Sequence, residues 1–322
     1  MTLGRSTGLS HPGRKRRGNE DSWLSEPPMF AVADGMGGAR AGEIASRLAT
    51  GALGEDVHGT PEARVVALIQ EANRRVYERA NEGSDASGMG TTITLAIVED
   101  GVVTIGHVGD SRAYLIRDRK LEQLTEDQSL VAELVRSGRL TPQEAESHPQ
   151  RSVITRALGT DPDVDVDTQS IEAKPGDIFL LCSDGLTTMV GDEAILDIVE
   201  RYRTDLDEAA KELVSAANRG GGEDNITVVF FEIADQGSER PADTKTMAAV
   251  DEEPAAVDED TLSGLDAPPA VDTMVVAPVG AEAAAAEPRK DRFGVRAARL
   301  VISLGVVGAL ALLVYWLLGQ SQ

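Results

Sequence analysis

The chain has 322 residues, a formal charge of −23, 41% apolar residues and one cysteine. That length can bury a catalytic-size core in one large domain or two small ones. The acidity argues against nucleic acid as a partner, and the lone Cys182 excludes an intrachain disulfide framework and thiolate metal sites.

Residues 1–22 are polar and basic, with Arg14 to Arg17 but no apolar stretch that would make a signal peptide. They end in Asn19-Glu20-Asp21. The apolar run Met29 to Ala33 predicts a short buried strand feeding Asp34-Gly35-Met36-Gly37-Gly38, where glycines permit a sharp turn and a close approach to a ligand. Helical composition follows over Arg40 to Gly51. A longer amphipathic helix is expected from Pro61 to Asn81, with Val65, Leu68, Ile69, Ala72 and Val76 on one face. At Gly90 the period shortens. Thr91 to Val98 and Val102 to Gly109 read as a hairpin about Asp100-Gly101, and Arg112 to Arg117 with Leu121 to Leu124 as a second. Four strands in succession imply an antiparallel sheet with helices on a face.

Residues 125–157 return to helix, from Gln128 to Ser137 and again after Thr141-Pro142-Gln143-Glu144, a capping-box start. This insertion carries Arg136, Arg139, Arg151 and Arg156. Ile178 to Cys182 reads as a buried strand running to Asp184, with Cys182 a small apolar residue rather than a nucleophile. Helices are expected at about 192–203 and 206–218. Gly220-Gly221-Gly222 then delivers Asp224-Asn225, and Ile226 to Ile233 is the last strand. The folded domain is therefore placed at 1–235.

From 236 to 288 there are 12 Asp/Glu against 2 Lys/Arg and no aromatic residue, so 236–299 is expected to be a disordered acidic Ala/Pro-rich linker ending in basic residues from Arg289. Leu300 to Leu318 is free of charge and as a helix would span about 28 Å, enough for the hydrocarbon core. The short tail 319–322 follows. With the basic residues all on its N-terminal side, the positive-inside rule expects a single-pass C-terminal membrane anchor and a cytoplasmic large domain.

Asp34, Asp184 and Asp224 each adjoin a strand-like run, so the chain delivers carboxylates from several strand ends to one place. Such a cluster repels itself unless a cation neutralises it, and oxygen-only ligation suits Mg²⁺ or Mn²⁺. Two such ions can share a water and stabilise an in-line phosphoryl transition state. Arg16 would add a guanidinium suited to phosphate. No P-loop motif is present, so NTP-driven work is unsupported.

Six motifs stand in order: Arg16-x-x-Asn19-Glu20-Asp21, Asp34-Gly35-Met36-Gly37-Gly38, Gly88-Met89-Gly90-Thr91-Thr92, Val108-Gly109-Asp110-Ser111-Arg112, Ser183-Asp184-Gly185-Leu186 and Glu223-Asp224-Asn225-Ile226-Thr227. Over roughly residues 5–233 the chain resembles the bacterial branch of the metal-dependent Ser/Thr protein phosphatases, the PPM or type 2C family. The resemblance implies an α+β fold: a four-layer α/β/β/α sandwich of two antiparallel sheets flanked by helices, followed here by the transmembrane helix. It implies two Mn²⁺ or Mg²⁺ ions per subunit, with Asp34 bridging, Gly35 a backbone ligand, Asp184 and Asp224 completing the centre, and Glu20 and Asp21 in support. Arg16 would hold the phosphate. Asp110 matches a third-metal position, with Ser152 its candidate partner, and residues 125–157 match a mobile flap. Where eukaryotic members carry a histidine, this chain has Met36, so the general acid is unassigned. The implied partners are phosphoproteins, including Ser/Thr kinases and their substrates. A catalytically weak, membrane-tethered phosphoprotein-binding module is the alternative, and a small phosphate ester the alternative substrate.

Overall fold

The computed structural model describes residues 2–37, 41–82 and 88–235, so the linker and span expected over 236–322 lie outside the described residues. Among the described residues eleven strands and seven helices follow in order: β1 (Thr2–His11), β2 (Asp21–Glu26), β3 (Met29–Met36), α1 (Ala41–Ala52), α2 (Pro61–Asn81), β4 (Gly90–Thr91), β5 (Ile93–Glu99), β6 (Val102–Val108), β7 (Arg112–Arg117), β8 (Lys120–Gln123), α3 (Leu130–Arg136), α4 (Pro142–Glu146), β9 (Asp167–Glu172), β10 (Ile178–Cys182), α5 (Asp184–Thr187), α6 (Asp192–Arg201), α7 (Leu206–Gly220) and β11 (Ile226–Ala234). Among the described residues no helix is long and apolar enough to cross a membrane.

Two antiparallel sheets result, in the orders β1-β11-β10-β7-β8 and β2-β3-β5-β6-β9, with β4 pairing β3. Alternation along each strand sorts the side chains into layers. Phe30 and Val32 of β3, Phe179 and Leu181 of β10, and Val229, Phe231 and Ile233 of β11 fill the space between the sheets. The Phe231 ring stacks on Phe30 and Phe179 at 4.3 and 4.8 Å. The opposite faces of the same strands bury against helices. Ala31, Ala33, Leu95 and Ile97 meet α1 and α2, while Ile178, Leu180, Val228 and Phe230 meet α6 and α7. The four-layer sandwich is what the family resemblance implied.

Two local expectations need correction, and one strand was not anticipated. The four successive strands do not share one sheet: β5–β6 belongs to one and β7–β8 to the other, because the chain crosses between layers at Gly109-Asp110-Ser111. The polar N-terminus forms an edge strand, β1, paired with β11. Few apolar side chains mark it, since its pairing is carried by backbone. Gly8 lies where a Cβ would stand 2.4 Å from the Trp23 ring, so the sheets close over that point only without a side chain. The polar strand β9, mostly exposed, also lacks an apolar signature. Elsewhere α2 runs from Pro61 to Asn81 as expected, and the Thr141–Glu144 capping box forms.

Candidate metal centre

The carboxylates gather at one end of the sandwich because each sits where a strand begins or ends. Asp21 opens β2 and stands directly opposite Asp34 near the end of β3. Asp184 begins α5 just after β10, Asp224 lies two residues before β11, and Asp110 lies two residues after β6.

Hydroxyls from neighbouring strands fix the backbone at this end. Thr92 donates its amide to the Asp34 carbonyl at 2.9 Å, and its Oγ1 accepts from the Asp34 amide at 2.9 Å. Thr91 Oγ1 donates to the same carbonyl at 2.8 Å. Ser183 and Thr227 hydroxyls donate to Asp21 Oδ2 at 2.9 and 2.5 Å. Asn225 joins the N-terminal loop to the β11 end. Its Nδ2 donates to Gly18 O at 2.9 Å, and its Oδ1 accepts from the Glu20 amide at 2.8 Å. Gly35 is pressed against the chain itself: a Cβ there would stand 2.1 Å from Gly42 O. The glycine expected to admit a ligand thus also lets α1 start against β3.

Burial raises the acids. It pushes Asp21 up to about 7 despite its two hydroxyl donors. Burial and then the Asp184 charge push Asp110 up to about 8; burial and then the Asp224 charge push Asp184 up to about 6. Burial followed by the neighbouring Asp21 holds Asp34 well above the usual carboxylate range, and burial also raises Glu20. Asp21 Oδ1 is buried without a hydrogen-bond partner. Among the described residues no three acidic or histidine side chains already surround one point at ligand distance. Asp224 Oδ2 is instead engaged by Arg16 Nη2 at 2.7 Å. An orphaned carboxylate oxygen, acids held above their usual range by burial and by one another, and an all-oxygen donor set fit hard divalent cations.

Two hollows flank the cluster. One, of about 890 Å³, is lined by Asp110 and Asp184 at the centre and by Arg151 and Ser152 of the insertion. The other, of about 710 Å³, is lined by Arg16, Arg17, Asn19 and Glu20. The sequence-predicted residues therefore converge, with Ser152 exposed across the first hollow. Met36 stands opposite Gly90 and has no proton to donate. Sequence reasoning named the acids but missed Ser183, Thr227, Thr91, Thr92 and Asn225, which hold them. Their signal was position: each lies inside one of the six motifs, Thr91 and Thr92 in the one that carries no acid.

A family model for protein phosphatase 2C matches residues 8–217. The chain belongs to the protein phosphatase 2C family. Among curated relatives it is 42% identical over 230 residues to the serine/threonine protein phosphatase PstP of Mycobacterium tuberculosis, covering 70% of this chain and 44% of that protein. It thus spans less than half of that relative's length. It is also 42% identical over 233 residues to the serine/threonine phosphatase stp of Listeria monocytogenes, covering 68% of this chain and 92% of that one. Among solved structures, the Mycobacterium tuberculosis serine/threonine phosphatase PstP/Ppp superposes with a TM-score of 0.69 at 40% identity, over 73% of this chain and 100% of that chain, and the catalytic domain of PstP in complex with two manganese ions with a TM-score of 0.67 at 38% identity, over 72% of this chain and 99% of that chain. The six motifs of the phosphatase 2C pattern therefore lie on a phosphatase 2C fold.

Proposed function

We propose that this chain hydrolyses phosphoserine and phosphothreonine in proteins with Mn²⁺ or Mg²⁺ as cofactor. The observation that carries the reading is the convergence of Asp21, Asp34, Asp184 and Asp224 at one end of a phosphatase 2C sandwich, with Arg16 bonded to the last of them at 2.7 Å. Asp34, the Gly35 carbonyl, Asp184 and Asp224 would hold two ions, with Asp21 and Glu20 in support. When bound, the ions supply Lewis acidity that readies a water for attack and neutralises phosphoryl charge. The manganese in the PstP catalytic domain supports the same choice here.

The protein's own groups do the rest. Ser183 and Thr227 fix the orientation of Asp21. Thr91 and Thr92 set the backbone that aims Asp34. Arg16, half exposed and paired with Asp224, is placed to exchange that carboxylate for phosphoryl oxygens and to grip them with parallel N–H groups. Asp110, with Ser152 across the hollow, offers a place for a third ion. The motif match over residues 16–227 supports these roles.

The uncharged stretch 300–318 and the basic residues before it support a membrane-anchored, cytoplasm-facing enzyme that reverses Ser/Thr kinase signalling at the membrane. The long acidic linker would let the domain search a membrane-proximal volume. Phosphate release from a phosphothreonine peptide tests the activity. Release with Mn²⁺ that stops with EDTA and with Asp184→Asn is the expected result. No release with any metal ion overturns the reading.

A further inference from the structure

The loop joining β1 to β2 carries four cations in a row, Arg14, Lys15, Arg16 and Arg17, all exposed, in a chain whose formal charge is −23. Elsewhere arginines commonly meet acids: Arg5 pairs with Glu232, Arg47 with Glu43, Arg151 with Glu223 and Arg219 with Glu212. In this loop only Arg16 does so, with Asp224. Among the described residues the side chains of Arg14, Lys15 and Arg17 have no ion-pair or hydrogen-bond partner. The loop is nevertheless held in place. The Arg14 and Lys15 amides donate to Gly222 O at 2.7 and 3.2 Å, and Asn225 Nδ2 donates to Pro12 O at 3.0 Å and to Gly18 O at 2.9 Å. Gly13 lies so close to Asp224 O that a Cβ would overlap it. Backbone contacts thus fix the three free cations beside the Asp224 end of the centre, and Arg17 lines the second hollow together with Arg16. Of the two acids in that hollow, Glu43 pairs with Arg47 at 2.9 Å and Glu20 lies in the field of Arg16.

We propose that Arg14, Lys15 and Arg17 form a subsite for acidic residues: they receive the aspartate or glutamate side chains that flank the phosphorylated residue of a protein substrate. The inference rests on the phosphatase reading and narrows its substrate class. Position selects the occupant, because a phosphoryl group held by Arg16 brings its neighbouring residues beside the cations on either side of Arg16. Charge complementarity then favours acidic neighbours and disfavours basic ones. A single exposed ion pair contributes little, so the effect comes from three cations acting on one short segment. A bilayer seated on this loop would lie against Gly222 and Asp224 and close the centre, so a polypeptide is the better occupant.

The test uses the full chain with Mn²⁺ and two phosphothreonine peptides that differ only in carrying aspartate or lysine on both sides of the phosphothreonine, with p-nitrophenyl phosphate as a small ester. The aspartate peptide should show kcat/KM about 10-fold above the lysine peptide, mostly through KM. Raising NaCl from about 50 mM to about 500 mM should shrink that ratio. Arg14→Gln, Lys15→Gln and Arg17→Gln together leave the backbone bonds in place; they should bring the ratio near one with turnover of the small ester and the melting temperature unchanged. The three glutamate substitutions should reverse the order of the peptides. Equal turnover of the two peptides by the unaltered chain, or a preference that survives the glutamine variant, overturns the subsite. So does a fall in small-ester turnover in step with the peptides, which would assign the cations to the centre itself. Inhibition in phosphatidylserine but not phosphatidylcholine vesicles, relieved by the glutamine variant and without any peptide preference, assigns the loop to a lipid surface and overturns the subsite as well. No turnover of any of the three substrates overturns the phosphatase reading, and the subsite with it.

Discussion

Asp21 shows how a residue can matter without being a principal ligand. One of its oxygens accepts two hydroxyl bonds, and the other is buried without a partner. Asp21→Asn keeps the shape but removes the charge, so metal affinity should fall about 10–100-fold, read by titrating Mn²⁺ against intrinsic fluorescence or calorimetry. An unchanged affinity would place Asp21 outside the centre's electrostatics. Arg16 poses a different question, because its guanidinium already binds Asp224 at 2.7 Å. Arg16→Lys keeps the positive charge but loses the fork. KM for a phosphopeptide should rise roughly 10-fold with kcat less affected; an equal fall in kcat would mean that Arg16 acts mainly on the transition state. The acids themselves were legible in the sequence because Asp34, Asp184 and Asp224 follow or precede apolar runs. Their hydroxyl and amide supports were not, since Ser183 or Thr227 alone reads as an ordinary strand-end polar residue.

Elements differ in how clearly the chain announces them. α2, the two hairpins and β10 carry strong apolar periodicity, and their limits were readable within a residue or two. β1 and β9 were not, because edge strands are held by backbone bonds that leave little mark on side-chain pattern. Nor could periodicity show how the insertion is rooted. Arg112 grips Asp127 with two bonds of 2.8 and 2.7 Å, and its third nitrogen donates to Tyr114 OH at 2.9 Å. Next to it Gln128 and Gly109 exchange two bonds of 2.8 Å. The root of the insertion and the turn bearing Asp110 are thus one unit. Asp127→Ala leaves a mostly buried guanidinium unpaired and should cost about 2–3 kcal/mol, somewhat less than for a fully buried pair. Removing both partners, with Arg112→Met and Asp127→Ala together, should cost less than the single change. Thermal melts of the four proteins in the cycle read this directly. Amide exchange over 129–153 should also quicken in Asp127→Ala before it does in α7. A double variant that loses as much as the sum of both singles would show that the pair is not coupled.

At the scale of the whole molecule, the sandwich ends by crowding acids together, and that sets a stability that depends on both pH and metal. Asp184, Asp21 and Asp110 are raised to about 6, 7 and 8 from an ordinary value of 3.8. The folded chain therefore holds protons that the unfolded chain has released. The stability they contribute is complete below about pH 4 and is lost as pH rises through 6 to 8. A divalent cation removes the conflict by replacing those protons, and it binds better as they leave. In EDTA the melting temperature should fall steadily from pH 5 to pH 8.5. With Mn²⁺ the fall should flatten or reverse, so the stabilisation by metal grows with pH. Asp110→Asn should take away part of the slope in EDTA, since a neutral amide has no proton to lose. Differential scanning calorimetry at five pH values, with and without Mn²⁺, measures all three. A melting temperature in EDTA that stays level across that range would show that the acids are ionised without cost, and the case for a cation held by this cluster would lose its physical basis.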